Sequence, residues 1–295
     1  MLPVKRLAAI GFVGLPATAA LAHAGHEHRP APGWEFDPLV VVPLAIALFV
    51  FAAGQWRLRK RSRLPRRRSW LFLCGWAVLA LSLVSPLHQG GERSFTLHMI
   101  EHELIMLFAT LLLAASAAGG ILAWGLPAAV RRALGGSWKT PLTSLWRTLT
   151  EPVTSTVLQA IVLWAWHAPA LFDRAMDSPA WHAAQHLSFV AASLVFWVAM
   201  LDHRRGGYLL SATCLFLTSL IEGALGALMS LSQSPWYSAY AAMGVSGIGL
   251  DPTTDQQLAG LIMWIPGGLV HGAAALVLLY RWLSASEKGD ALRAG

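Results

Sequence analysis

Seven long apolar runs, separated by polar loops, limit what this chain can fold into. They are Leu39–Gln55, Trp70–Val84, Phe95–Ala118, Pro152–Trp166, a run ending in Leu187–Leu201, Tyr208–Leu231 and Leu258–Tyr280. Such runs approach the roughly 20 residues a helix needs to cross a bilayer. In lipid every backbone polar group must be satisfied internally, so a spanning segment is a helix or part of a closed barrel. No strand-type alternation is present. The reading is an all-α, polytopic integral membrane helix bundle. Its composition agrees: 13% of residues are charged, about half the share of a soluble domain.

The first 24 residues read as a secretory signal peptide, with Lys5 and Arg6 before an apolar core at Leu7–Leu21 and Ala22-His23-Ala24 as the cleavage site. Residues 25–36 are then a tail outside the cytoplasm carrying His26 and His28, residues 37–283 a seven-helix membrane domain, and residues 284–295 a cytoplasmic tail. Orientation follows from charge. Eight basic residues, Arg57 to Arg68, crowd the loop after the first span. Of the 22 lysines and arginines, 17 fall on one side of the arrangement, three (Arg29, Arg93, Arg174) on the other and two in the signal. The basic side is cytoplasmic, which puts the mature N-terminus outside and the C-terminus inside. Trp70, Trp181, Trp236 and Trp282 flank spans as an interfacial belt does. Within Gly119–Glu151, Trp124, Leu134, Trp138 and Leu145 alternate with charge as on an interfacial helix. The juxtamembrane basic run speaks for lipid and against nucleic acid. Cys74 and Cys214 sit inside apolar runs, form no CxxC, and read as small buried residues.

Two motifs carry chemistry. His98-Met-Ile-Glu-His102 and His182-Ala-Ala-Gln-His186 are both His-x3-His, and each opens an apolar run. Residues four apart share one helix face, so each pair can offer two imidazoles to one point. Either pair alone also fits interfacial histidines at a helix end. Two pairs at one depth, with His88 and His167 just upstream, favour a shared site. His88 before the first pair and His167 before the second give a faint parallel repeat. Imidazole suits copper, zinc and haem iron, and the thioethers of Met99 and Met106 lean slightly toward copper. Nearby carboxylates are Glu92, Glu101, Glu103, Asp173, Asp177, Asp251 and Asp255. Each alone reads as solvated surface charge, though any could orient or ligate. Glu101 and Glu103 bracket His102, on other faces of its helix. Glu222 and His271 lie deep within spans and need partners there, as a clasp or as a path for protons or metal.

No P-loop, nucleophile elbow or dinucleotide fingerprint is present. A membrane b-haem oxidoreductase uses histidines on separate helices, but usually near both faces. Here most histidines cluster at one face, with His203 and His271 as the exceptions.

Three blocks resemble the caa3-type cytochrome c oxidase assembly factor family, the polytopic CtaG proteins rather than the single-span copper chaperone of that name. They are His98–His102 with its apolar continuation; Trp166-His167-Ala-Pro-Ala-Leu-Phe-Asp173 through Trp181–His186 to Phe196-Trp197; and Asp255-Gln-Gln-Leu-Ala-Gly260 through Trp264-Ile-Pro266-Gly-Gly268. The resemblance implies an assembly factor for cytochrome c oxidase in a bacterial inner membrane. It further implies binding or delivery of copper at the periplasmic face, with oxidase subunits and periplasmic copper chaperones as expected partners and no turnover chemistry of its own. Candidate metal ligands are His98, His102, His167, His182 and His186. A copper transporter using Glu222 and His271 is the alternative beside the haem protein. The chain departs from the family pattern twice: Leu111–Leu122 lacks the usual proline near the helix end, and Glu101 stands where glutamine is usual.

Overall fold

The computed structural model describes residues 32–59, 65–135, 139–202 and 207–294. The expected signal, most of the histidine tail, His203 and Trp138 lie outside the described residues. All regular structure among the described residues is helical. Six helices are long and apolar enough to span a membrane. They are α1 (Pro38–Leu58), α2 (Arg66–Val84), the continuous Phe95–Ser116, α11 (Pro179–Leu201), α12 (Gly207–Leu231) and most of α14 (Pro252–Ala294). The seventh candidate is broken. Helix α9 (Pro152–His167) turns by 70° into α10 (Pro169–Asp177), where a short outer segment from Ala170 to Ala180 was expected, and only the pair taken together is long enough to count as the seventh candidate. The chain is an all-α polytopic membrane protein.

Helix starts are written locally. Asp37-Pro38, Ser85-Pro86, Glu151-Pro152, Ala168-Pro169, Ser178-Pro179 and Asp251-Pro252 each put proline at a first helical position, where its missing N–H is no loss. Asp37, Ser85 and Glu151 also accept a hydrogen bond from a first-turn amide. Pro86 begins a short helix, α3 (Pro86–Gly91). Thus α2–α3 and α9–α10 each lead through a short helix into a helix that carries a His-x3-His pair, in line with the faint repeat of the sequence.

The third span is not a uniform helix. It runs as α4 (Phe95–Glu103), a π-helical turn (Leu104–Ala109) and α5 (Thr110–Ser116). Below the turn, the Thr110 hydroxyl (2.6 Å) and the Trp197 indole (3.1 Å) both donate to the Met106 carbonyl. The helix ends without proline because Ala117 adopts a left-handed conformation, φ 47°, which usually falls to glycine. Helix α6 (Gly119–Gly125) follows and packs against α1; Arg57 donates to the carbonyls of Trp124, Gly125 and Leu126 at its end. Helices α7 (Ala128–Gly135) and α8 (Lys139–Leu149) expose Leu134, Leu142, Leu145 and Trp146 beside their basic residues, as interfacial helices do.

Outward faces carry Phe49, Leu187, Leu231 and Leu269, all more than two-thirds exposed, the pattern of a surface solvated by lipid. Cys74 is exposed on such a face and corrects the expectation of burial; Phe72 and Gly75 take the inward positions of α2. Cys214 is buried as expected.

The loop between α12 and α14 is tied down at the histidine end. Tyr240 donates to the Gly91 carbonyl (2.6 Å) and Tyr237 to the His167 carbonyl (3.1 Å). On short helix α13 (Ser238–Ala241), Ser238 donates to Asp173. Asp255 belongs to the first turn of α14, not to the loop, and is 1% exposed. Its carboxylate accepts from the Ser94 hydroxyl and from the Phe95 and Thr96 amides at 2.7–3.2 Å. A buried anion thus caps the helix carrying His98 and His102. Asp255→Ala should cost about 2 kcal/mol or more, since hydrogen bonds to charged groups are strong and three donors lose their acceptor. The thermal midpoint in detergent checks this; an unchanged midpoint contradicts it.

Candidate metal centre

Both His-x3-His pairs face the same space, as the four-residue spacing requires. Donor atoms of His98, His102 and His186 lie within 4.8 Å of one another, and all three residues are buried. His182 borders this trio: its ring stacks on His98 at 5.5 Å and on His88 at 5.3 Å, and meets His186 at 4.5 Å. His167, at the end of α9, stands 6.5 Å from the His102 ring. Its Nδ1 lies 2.7 Å from the Leu163 carbonyl and so donates there. The five expected residues therefore form one cluster, with three at ligand spacing and two beside them.

A second set shares His186. Donor atoms of His88, Glu101 and His186 also fall within 4.8 Å of one another. Glu101 is 0% exposed, and its Oε1 lies 2.7 Å from His88 Nδ1 and 3.9 Å from His186 Nδ1. This corrects the reading of Glu101 as solvated: the face it takes beside His102 is covered by α3. Glu92, Asp177 and Asp251 do remain exposed. His88, noted in the sequence as upstream, is an unassigned member of the site.

The cluster is polar inside and apolar around. Phe172 lies 5.2 Å from His98 and Phe189 4.8 Å from His102. Buried polar atoms normally find partners. Here Nε2 of His98, His167, His182 and His186, and both ring nitrogens of His102, find no protein hydrogen-bond partner. Each such atom costs about 1–3 kcal/mol when left bare. A metal ion binds imidazole lone pairs, and this set of donors fits one. Neutral imidazoles suit copper or zinc. His88 (16% exposed) and His182 are the more open members, so access runs from the rim inward.

The model of the cytochrome c oxidase caa3 assembly factor family matches residues 47–285. The chain belongs to that family. All candidate ligands fall inside the matched region. Among curated relatives, an uncharacterized protein of Mycobacterium leprae is 24% identical over 259 residues, covering 84% of this chain and 39% of that protein. An uncharacterized protein of Mycobacterium bovis is 25% identical over 265 residues, with the same coverage. The chain thus spans about two-fifths of the length of these relatives. No solved structure matches. Within the matched region the Glu101 carboxylate accepts the His88 hydrogen bond.

Burial lowers the basicity of His88, but the Glu101 hydrogen bond and the charges of Glu101, Glu35 and Glu92 outweigh it, and its pKa is raised. A raised histidine pKa stabilises the fold fully below the unfolded value, about 6.5. That contribution is lost as pH rises through the folded value. Without metal, His88→Gln should therefore lower the thermal midpoint at pH 6, and the difference should shrink at pH 8. A difference that grows with pH contradicts the pairing.

Proposed function

We propose that this chain assists assembly of cytochrome c oxidase by holding copper on the His98–His102–His186 trio and passing it to the oxidase. The observation that carries this is the buried set of imidazole nitrogens, three at ligand spacing and without protein partners. Family membership supplies the oxidase. His167 and His182 complete the surroundings of the ion, and His88 with Glu101 forms a neighbouring position that shares His186. The chain acts in a bacterial inner membrane. The basic loops lie in the cytoplasm, so the cluster faces the periplasm, where copper chaperones deliver and oxidase subunits receive. The role is binding and delivery, without turnover chemistry.

A transmembrane haem wire is disfavoured by packing. His271 is held by stacking on Trp197 at 5.1 Å and by contact with Glu222 at 3.2 Å.

The test is oxidase maturation in cells lacking the chain and complemented with variants. His102→Ala and His186→Ala should lower mature oxidase to the level of the uncomplemented cells while the variant protein accumulates in the membrane. Normal oxidase at wild-type protein level would make the pairs structural.

A further inference from the structure

Away from the histidine cluster, a furrow of about 320 Å3 runs between α9 and α12. Val153, Val157 and Ile161, each four residues on from the last, form a ridge on α9. Leu210, Leu217 and Ile221 line it from α12. Val153, Val157, Ile161 and Leu217 are about half exposed, while Thr156 and Cys214 are buried beneath. Ala160 also lines the furrow and is half-buried.

The lining offers nothing to a polar ligand. The Thr156 hydroxyl donates to the Pro152 carbonyl at 2.8 Å, and the Thr213 hydroxyl to the Leu209 carbonyl at 3.0 Å. With both hydroxyls turned to their own helices, the furrow presents apolar atoms. Its length is that of one leaflet. Val153 to Ile161 rises about 12 Å and Leu210 to Ile221 about 16 Å, against roughly 15 Å for half of a 30 Å hydrocarbon core. Both helices begin on the side of the basic loops, and the furrow starts in the first turn of α9. A helix 10–12 Å across would need roughly 1,200 Å3 over that length, several times the space present. A single hydrocarbon chain matches it.

The mouth of the furrow carries positive charge. Arg147 lies in the last turn of α8. The Thr150 amide and hydroxyl both donate to the Trp146 carbonyl, at 3.0 and 2.6 Å, and fold the end of α8 back against the start of α9. Leu142, Leu145 and Trp146 are exposed beside Arg147, as on a helix lying at the headgroup level. In the sequence Arg204 and Arg205 come just before α12. Glu151, the carboxylate at the start of α9, is taken up by the amide and hydroxyl of Thr154 at 2.7 and 2.9 Å. Free cationic groups at the surface of a leaflet attract anionic lipid.

We propose that this furrow is a specific lipid site, which holds one acyl chain of an anionic phospholipid while Arg147 binds its headgroup phosphate. The lipid belongs to the leaflet on the side of the basic loops, the opposite end of α9 from His167.

The test uses the full chain, purified in detergent and stripped of lipid, then titrated with phosphatidylglycerol or phosphatidylcholine. Native mass spectrometry counts bound lipid, and the thermal midpoint reports the stabilisation that a bound ligand brings. The wild type should hold one phospholipid and prefer phosphatidylglycerol by at least about tenfold. Arg147→Gln should reduce that preference about fivefold, the worth of one basic residue at an anionic surface. Ala160→Phe, which fills the furrow, should lose both the bound lipid and the rise in midpoint. Val157→Ala lowers one ridge at an exposed position that folding does not depend on. It should weaken binding in the same direction, and it decides the matter if Ala160→Phe fails to accumulate. Leu187→Phe, on an exposed face of α11 outside the furrow, should change nothing. No stoichiometric phospholipid, no selectivity between headgroups, or equal loss in the furrow variants and in Leu187→Phe overturns the site. A retained isoprenoid quinone or polypeptide that the furrow variants displace overturns the occupant named here.

Discussion

Alanine at any one of His98, His102 or His186 should lower copper affinity by well over 100-fold. Changes to groups that merely support a ligand typically cost about 10–100-fold, and each of these residues is one of three donors within 4.8 Å. His167→Ala and His182→Ala should cost less, because those rings border the trio. The affinity should also depend on pH with a definite sign. Imidazole binds metal only when neutral, and binding displaces protons. Protons compete for the same lone pairs, so affinity should fall on acidification. Competitor titrations of the trio variants at pH 5.5, 6.5 and 7.5 check both statements. Affinity that rises on acidification, or trio variants within threefold of wild type, contradicts them.

Gly226→Leu should prevent the bundle from forming. Helices α12 and α14 cross so closely that a Cβ on Gly226 would lie 2.7 Å from the Gly260 carbonyl oxygen, and one on Gly260 would lie 2.5 Å from the Gly226 oxygen. Both neighbours are backbone and cannot rotate away. Helices in lipid associate by close packing of small residues, because no hydrophobic driving force separates them from the tails. Overpacking ordinarily costs about 1–3 kcal/mol, and a leucine against backbone exceeds that range. The damage extends in both directions along α14: Asp255 caps the histidine helix at one end, and His271 meets Glu222 further along. Full-length protein in the membrane should fall to a small fraction of wild type. Gly120→Ala, where a Cβ meets nothing within 4 Å, should accumulate normally. Equal accumulation of the two variants contradicts the crossing.

Much of the fold was legible because lipid imposes a simple rule on sequence. Apolar length marked the spans, and i,i+4 histidines marked a common face. The bend at Ala168 escaped because the apolar run of α9, 16 residues long, reads as a span by itself, and Pro169 reads equally well as a turn or a new helix. Glu101 and Asp255 were misread for one reason: a carboxylate near a helix end is solvated unless something distant covers it. What covers them is α3 over Glu101 and α4 against Asp255, the latter 160 residues away for the Phe95 amide. The π-helical turn has no local mark either, since its external donor comes from Trp197. The apolar pattern says which face is inward, not which neighbour it finds.

The most direct measurement is copper content and ligand type in the full chain purified from membranes under copper-replete, reducing conditions. Elemental analysis should give tightly retained copper, and X-ray absorption should report a first shell dominated by imidazole nitrogen at the high-affinity position. The variant with alanine at His98, His102 and His186 together should lose that signal while folding to the same extent. Wild-type protein without copper, or with copper retained equally by the triple variant, would contradict the account.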